Sequence, residues 1–358
     1  MKQKIAFVIH GLGGGGAERV TSILCNRLSS NGYDVHVICN IKSKNDYPIS
    51  DGVTQHIIGN NTSKNRFFSA TQRFLRLRKT FRKERFDVII GMMKMGEISV
   101  LANIGLGYPV IISVRNDPSH LYPTSIKRIY AKTVFSLASG AVFQTNEVLK
   151  WFPARLQKKA VIILNPISEK FYNVERVPKQ GLMIATGRLH KQKNYRLMID
   201  AVNQVSQKKD VILEIYGKGG EENKLKEYVK EIGAENYVKF CGRCDDIPSV
   251  LRYADLFLLS SDYEGLPNGL MEAMAIGLPC VSTDCSGGGA RQLLGNNERG
   301  LLTPVGDEDK FARAIIKLLD DAEISNRLGK SAKTYAQRFK EDNCFRDWEN
   351  YIISRTNK

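Results

Sequence analysis

Thirteen short apolar, β-branched runs separated by amphipathic stretches organise this 358-residue chain. That alternation is the pattern of βαβ units, whose crossover helices make successive strands run parallel. The runs expected as strands are 4–10, 34–39, 53–59, 87–92, 109–114, 140–145 and 160–164, then 181–186, 211–216, 236–241, 255–260, 279–283 and 300–303. Between the two sets lies NPISEKFYNVERVPKQG (165–181), which has two prolines, mixed charge and the composition of a linker. The expected organisation is a domain over 1–168 and another over 178–340, with a last helix of about 341–358 folding back on the first. Both read as α/β Rossmann-like domains, expected to face each other across a cleft lined by the carboxyl ends of their strands, where ligands of open α/β sheets bind.

Other classes are narrowed by what the sequence lacks. No apolar stretch reaches the roughly 20 residues of a membrane span, and the first residues have too short an apolar core for a signal peptide, so a cytoplasmic location is expected. Seven scattered cysteines fit reduced thiols, and the lone Cys241-x-x-Cys244 has no second ligand pair at zinc spacing. The net charge of +16 is uneven: residues 1–170 carry 25 Lys and Arg against 10 Asp and Glu, whereas residues 171–358 carry 28 against 27. Such a field draws polyanions or an anionic membrane surface toward the first half. No helix-turn-helix, zinc-finger or RNA-recognition signature accompanies it, and no nucleic-acid partner is expected.

VIHGLGGGGAERV (8–20) places Gly11, Gly13 and Gly16 at G-x-G-x-x-G spacing between a strand and a helix. A dinucleotide site also needs an acidic residue about 20 positions on. The next strand ends at Asn40 instead. This loop suits a small anionic group better than NAD; a tight turn serving only strand-to-helix packing fits it too.

SSDYEGLPNGLMEAMAIGLPCVSTD (260–284) is richer. Asn268 reads as a helix cap, and Leu270, Met271 and Met274 as the buried face behind it. The backbone from Gly265 through Leu266, Pro267, Asn268 and Gly269 to Leu270 would present open N–H groups to a diphosphate, with Glu272 one turn in, near a ribose. Taken singly, Glu264 and Glu272 fit solvated surface charges as well as ligands.

Glu264-Gly265-Leu266-Pro267 through Glu272 resembles the E-x-x-x-x-x-x-x-E element of the retaining glycosyltransferases of family 4, which have the GT-B fold. GLGGGGAER, ATGRLHKQKN (185–194), IYGKGGEENKL (215–225) and FCGRCDDIPSVLRYADLFLLSS (240–261) resemble further family elements in order, so that the likeness covers nearly the whole chain. It implies that Glu272 holds the ribose hydroxyls, Glu264 faces donor-sugar hydroxyls, and Arg188 and Lys193 grip the diphosphate. Gly217 and Arg243 fall on the nucleotide side, and Gly15 and Gly16 let backbone approach the diphosphate and sugar. It implies neither cofactor nor metal; the adjacent Asp245-Asp246 reads as a helix cap rather than an Asp-x-Asp metal motif. Many family members carry a histidine after the strand ending near residue 114. Here Arg115, Asn116 and Asp117 stand there, with Arg115 suited to an acceptor phosphate, Asp117 to capping the next helix and His120 to surface or site.

The likeness to members acting on bacterial surface glycans implies transfer from a nucleotide sugar, UDP-linked on family frequency, to a polyprenyl-diphosphate-linked saccharide at the inner membrane face. A GT-B epimerase or a sugar-nucleotide-binding protein would use the same fold. KNRFFSATQRFLRLRKTFRKERF (64–86), with nine Lys and Arg and one Glu, reads as a helix with Phe67, Phe74, Leu77 and Phe81 on one face. Arg76, Lys79, Arg82 and Lys83 on its flanks suit lipid phosphates or an acceptor diphosphate, and its apolar stripe suits either membrane or domain core.

Overall fold

A computed structural model describes residues 3–59 and 66–356, which divide into two compact units, Met1–Asn165 with Asp342–Lys358, and Pro166–Glu341. The first contains β1 (Lys4–Ile9), α1 (Gly16–Ser30), β2 (Asp34–Cys39), β3 (Val53–Ile57), α2 (Arg66–Glu84), β4 (Val88–Met92) and α3 (Lys94–Asn103). It continues with β5 (Val110–Ser113), α4 (Pro118–Leu121), α5 (Ser125–Ser136), β6 (Gly140–Phe143), α6 (Asn146–Trp151), α7 (Ala154–Gln157) and β7 (Ala160–Ile162). These strands form one sheet in the order β3-β2-β1-β4-β5-β6-β7, and every pairing is parallel.

Both faces of this sheet are covered, which is why its strands read as continuous apolar runs rather than alternating ones. Ile5, Phe7 and Ile9 pack with Val20, Leu24 and Leu28 of α1, whereas Ala6 and Val8 pack with Leu77 and Phe81 of α2 and Val134 and Phe135 of α5. Adjacent strand residues therefore serve opposite layers.

The second unit contains β8 (Leu182–Thr186), α8 (Tyr195–Ser206), β9 (Ile212–Tyr216), α9 (Glu222–Glu231), β10 (Val238–Gly242), α10 (Ile247–Leu251) and β11 (Leu256–Leu259). There follow α11 (Asn268–Ile276), β12 (Cys280–Thr283), α12 (Gly289–Leu294), β13 (Leu301–Thr303), α13 (Glu308–Asp320) and α14 (Ala322–Ala336). Its sheet runs β10-β9-β8-β11-β12-β13, again all parallel. The final helix, α15 (Glu341–Thr356), puts Phe345, Trp348, Tyr351 and Ile352 into the α1 side of the first core. The Tyr351 hydroxyl accepts the Ala141 N–H at 2.9 Å.

Every run expected as a strand contains one, most of them trimmed by a residue or two where the backbone turns into a loop. The basic segment needs more correction. Leu77 and Phe81 are fully buried and Phe74 packs on the same core, so the described part of the α2 stripe faces the sheet and not a membrane. Lys64 and the side chain of Phe67 lie outside the described residues. No helix among the described residues is long and apolar enough to cross a membrane.

Candidate active site

In a parallel sheet all strand carboxyl ends lie at one edge, and a crevice opens where the strand order reverses direction. In the second unit that point lies between β8 and β11. The loops leaving these strands, 187–194 and 260–267, carry the residues that the sequence singles out, and they are sewn together. Gln192 donates through Nε2 to the Tyr263 carbonyl at 2.7 Å, Asn194 through Nδ2 to Asp262 Oδ1 at 2.8 Å, and Ser260 through Oγ to the Lys193 carbonyl at 2.8 Å. Asn194 takes a left-handed backbone (φ 43°) and caps α8 by accepting the Leu197 N–H.

The central contact is Lys193 Nζ to Glu264 Oε1 at 2.6 Å, with Ser261 Oγ donating to the same oxygen at 2.9 Å. Glu264 is 8% exposed. A buried carboxylate costs several kcal/mol unless it is paired and hydrogen-bonded, and here Lys193 and Ser261 meet that requirement. Behind it, burial and the Glu264 charge push the Cys285 thiol up to about 12, so it stays neutral. Arg188, by contrast, is exposed at the rim of the same loop.

Glycine is required where these loops cross. Gly217, at φ 154°, lies so close to Gly187 that a Cβ would overlap the Gly187 carbonyl oxygen, and its N–H donates to the Gly242 carbonyl at 2.7 Å. A Cβ on Gly289 would likewise overlap the Gly265 carbonyl oxygen, which fixes the loop entering α11.

α11 starts differently from the sequence expectation. Pro267 is its N-cap (φ −75°, ψ 106°) and makes no side-chain cap; Asn268 is already helical, at the first position. Proline presets the extended entry, and an asparagine one residue later has lost the geometry that lets a cap reach forward. The first turn carries no acidic residue, and the positive end of the helix dipole favours an anion there. Gly269 lies against the end of β8, where a Cβ would meet Thr186 Oγ1 at 2.5 Å. Glu272, 8% exposed, lies one turn further in, and Leu266 and Leu270 are buried as well.

The nucleotide-side expectation meets one further correction. Asp246 occupies the N-cap position of α10 but makes no side-chain capping bond, while Asp245 accepts from Arg243 Nε at 3.1 Å on the open surface. The pair is split, one member tied to Arg243.

In the first unit the strand order reverses between β1 and β4. The loop after β1 ends at Gly15, the N-cap of α1, and Gly16 opens the helix. The Glu18 carboxylate lies against Gly15, where a Cβ would overlap it. An anion approaching this helix start meets that carboxylate. Glu18 is a residue the sequence reading passed over, although Gly-x-x-Glu at a helix start is the spacing of a side chain that folds back on the cap. After β4 comes Met93 at φ 54°, ψ −133°, a conformation rare for a side chain with a Cβ and concentrated at functional loops. Its sulfur accepts the Arg115 N–H at 3.2 Å. Nothing in the apolar pattern around Met93 signals this.

Arg115 is only 9% exposed. Its guanidinium donates to Asn165 Oδ1 and to Ser113 Oγ at 3.4 Å, Nε has no partner, and burial pulls its pKa down to about 10. It thus braces the ends of β5 and β7, and Asn116, half-buried beside it, is the more accessible of the two. Asp117 caps α4 by accepting the Ser119 N–H at 2.8 Å and bonds His120 Nδ1 at 2.9 Å. On α2, Arg76 is drawn inward to the Ile58 carbonyl at 3.2 Å, which separates it from Lys79, Arg82 and Lys83, all exposed. Among the described residues no cluster of three or more His, Cys, Asp or Glu is placed to hold a metal ion.

Comparison with known proteins agrees with this architecture. Residues 14–171 match the family model Glycosyltransferase Family 4, and residues 167–335 match Glycosyl transferases group 1. The chain is 26% identical over 363 residues, covering 99% of both chains, to a Campylobacter jejuni protein named GalNAc-alpha-(1->4)-GalNAc-alpha-(1->3)-diNAcBac-PP-undecaprenol alpha-1,4-N-acetyl-D-galactosaminyltransferase. It is also 26% identical over 370 residues (98% of this chain, 100% of the other) to that organism's N-acetylgalactosamine-N,N'-diacetylbacillosaminyl-diphospho-undecaprenol 4-alpha-N-acetylgalactosaminyltransferase. Among solved structures, HepE of Anabaena in complex with UDP superposes with a TM-score of 0.81 at 20% identity, covering 98% of this chain and 100% of that one. WaaG, a glycosyltransferase involved in lipopolysaccharide biosynthesis, does so at 0.77 and 16%, covering 97% and 99%. The chain belongs to the family 4 glycosyltransferases, with the two parallel-sheet units of the GT-B fold.

Proposed function

We propose that this glycosyltransferase moves a hexose or N-acetylhexosamine, with retention of anomeric configuration, from a UDP-sugar to a polyprenyl-diphosphate-linked saccharide. The observation that carries the donor half is the Lys193–Glu264 pair at 2.6 Å, set beside the uncapped start of α11 at the reversal of the second sheet. The backbone from 265 to 270, the loop entering α11 and its first turn, receives the diphosphate, Glu272 accepts from the ribose hydroxyls, and Glu264 accepts from a hydroxyl of the sugar. Gly217 and Arg243 border the nucleotide.

In the reaction the bond from the anomeric carbon to the phosphate oxygen breaks, and a bond to the acceptor oxygen forms on the same face. The acceptor proton passes to the departing phosphate oxygen. Negative charge grows on that diphosphate as the bond breaks, and fixed cations stabilise it more than they stabilise the bound donor. Lys193 and Arg188 supply those cations, Lys193 by exchanging part of its contact with Glu264 for phosphate oxygen.

The acceptor half is supported by the two Campylobacter relatives, both named for diphosphate-linked undecaprenol saccharides, and by the exposed cations Lys79, Arg82 and Lys83 of α2. These suit an acceptor diphosphate at an anionic inner-membrane surface, where the protein acts peripherally from the cytoplasmic side. A UDP-bound neighbour of the same fold favours UDP as the nucleotide. The test is a panel of UDP- and GDP-sugars screened for thermal stabilisation, followed by transfer to prenyl-diphosphate saccharides. Saturating donor raises the midpoint through RT ln(1+[L]/Kd), and a UDP-sugar is expected to give both stabilisation and product. Stabilisation by GDP-sugars alone, or transfer only to water-soluble glycans, contradicts the reading.

A further inference from the structure

The basic helix α2 turns its apolar stripe into the core; α5 leaves one outside. Its Ala131, Val134 and Phe135 are buried, and an ordinary surface helix would be polar opposite them. Instead Ile126 is 81%, Ile129 68% and Tyr130 46% exposed, and their i, i+3, i+4 spacing puts them on one stripe. Leu137, 58% exposed, continues it just past the helix end. A single exposed isoleucine needs no explanation, but a stripe of them does.

We infer that the outer face of α5 is a membrane-docking surface, lying in the plane of an anionic bilayer with Ile126, Ile129 and Tyr130 in the headgroup–acyl boundary. Charge chooses the occupant. Lys127 and Lys132 lie to either side of the stripe on α5, Arg128 on the far side donates through Nε to the Tyr122 carbonyl at 3.1 Å, and residues 118–146 contain no Asp or Glu. An acyl layer beneath anionic headgroups offers apolar depth and negative charge together. The surface is also preformed: Thr124 caps α5 by accepting the Lys127 N–H, and Lys132 lies 5.0 Å over the Trp151 ring. α3 packs against both α5 and α2, so the cations of α2 belong to the same layer of helices. At 12 residues, roughly 18 Å, α5 is too short to span and suited to lying flat. The inference deepens the acceptor proposal by naming what brings the protein to a lipid-borne acceptor, and it rests on that proposal only for its purpose.

Sedimentation with phosphatidylglycerol–phosphatidylcholine vesicles, against phosphatidylcholine alone, tests it. The full-length protein is expected to bind the anionic vesicles, and Ile126→Ser/Ile129→Ser/Tyr130→Ser to bind them about tenfold or more weakly at about 0.15 M salt. Lys127→Gln/Lys132→Gln is expected to lose the salt-sensitive part of binding. Ile129→Trp gives a readout on a minimally altered protein: its added fluorescence shifts to the blue on vesicles if the face inserts. Unchanged binding by the triple serine variant, no binding by the parent protein, or no blue shift each overturns the inference. So does a parent dimer that the serine variant converts to monomer while vesicle binding persists, since the face would then join two copies of this chain. Transfer to a detergent-solubilised, short-chain acceptor is expected to survive the serine substitutions. A parent protein that binds vesicles through α5 yet fails every prenyl-diphosphate acceptor supports the docking face and overturns the acceptor reading alone.

Discussion

In the proposed reaction Glu272 serves binding and Lys193 serves chemistry. Glu272 is buried in the first turns of α11, where a carboxylate accepting ribose hydroxyls contributes through charged hydrogen bonds. Glu272→Ala is therefore expected to weaken UDP binding by about 1.5–3 kcal/mol, measured by calorimetry on the folded variant; unchanged affinity would remove it from the donor site. Lys193→Ala and Arg188→Ala are expected to lower kcat more than they raise KM, because their cations answer charge that grows during bond breaking. A rise in KM with kcat intact would assign them to ground-state binding. The glutamate pair is legible from eight-residue spacing and glycine context, because helix starts leave local signatures. The Lys193–Glu264 bond joins residues 71 positions apart, and no local pattern encodes such a contact. Nor does one encode the positive φ of Met93, which the surrounding structure imposes on an ordinary side chain.

Elements were legible as runs and less so as faces. Doubly covered parallel strands announce themselves as unbroken β-branched segments such as Ile5–Ile9 and Val88–Ile90, buried throughout. The outer face of α5 is not legible in the sequence, since Ile126 and Ile129 look like core residues until the neighbours of the helix are known. α2 shows the converse: its Phe-Leu-Phe stripe fits lipid as well as a sheet, and only packing decides. With Arg76 bonded inward, the exposed cations to test are Lys79, Arg82 and Lys83. Replacing all three by Gln is expected to raise KM for a membrane-borne acceptor about tenfold or more at low salt, at about 1 kcal/mol per cation near an anionic surface. UDP affinity should stay constant, and an unchanged acceptor KM would make this face ordinary solvated surface.

Beneath α2, the edge of the first sheet holds an imidazole pair, His36 Nδ1 to His56 Nε2 at 2.8 Å. Burial lowers the His36 pKa against the pull of Asp34 and Glu84, with Lys4 adding to the lowering. Burial and then His36 lower that of His56, with Lys83 and Lys4 adding and Glu84 opposing. The unfolded chain takes up these protons near pH 6.5 and the folded unit only at lower pH, so their stabilisation is complete above about 6.5 and lost as pH falls below it. The thermal midpoint is expected to drop between about pH 7 and 5 by less in His36→Gln/His56→Gln than in the parent; equal or steeper loss in the variant contradicts this.

For the whole molecule, two Rossmann-like units are legible because the βαβ alternation simply occurs twice, and the two prolines and mixed charge of 165–181 read as a passage between them. The proposed acceptor has no such signature, because recognition of a saccharide on a lipid diphosphate requires no fixed residue spacing. The proposed reaction is retaining transfer driven by cations at the second sheet's reversal point. Its most direct measurement is the anomeric configuration of the product, by NMR coupling, after transfer from an α-linked UDP-sugar to a prenyl-diphosphate saccharide with divalent ions chelated. An α-linked product is expected, formed undiminished in chelator if Arg188 and Lys193 carry the leaving-group charge, and strongly reduced in Lys193→Ala. A β-linked product, or activity that chelation abolishes and Mg²⁺ or Mn²⁺ restores, would contradict it.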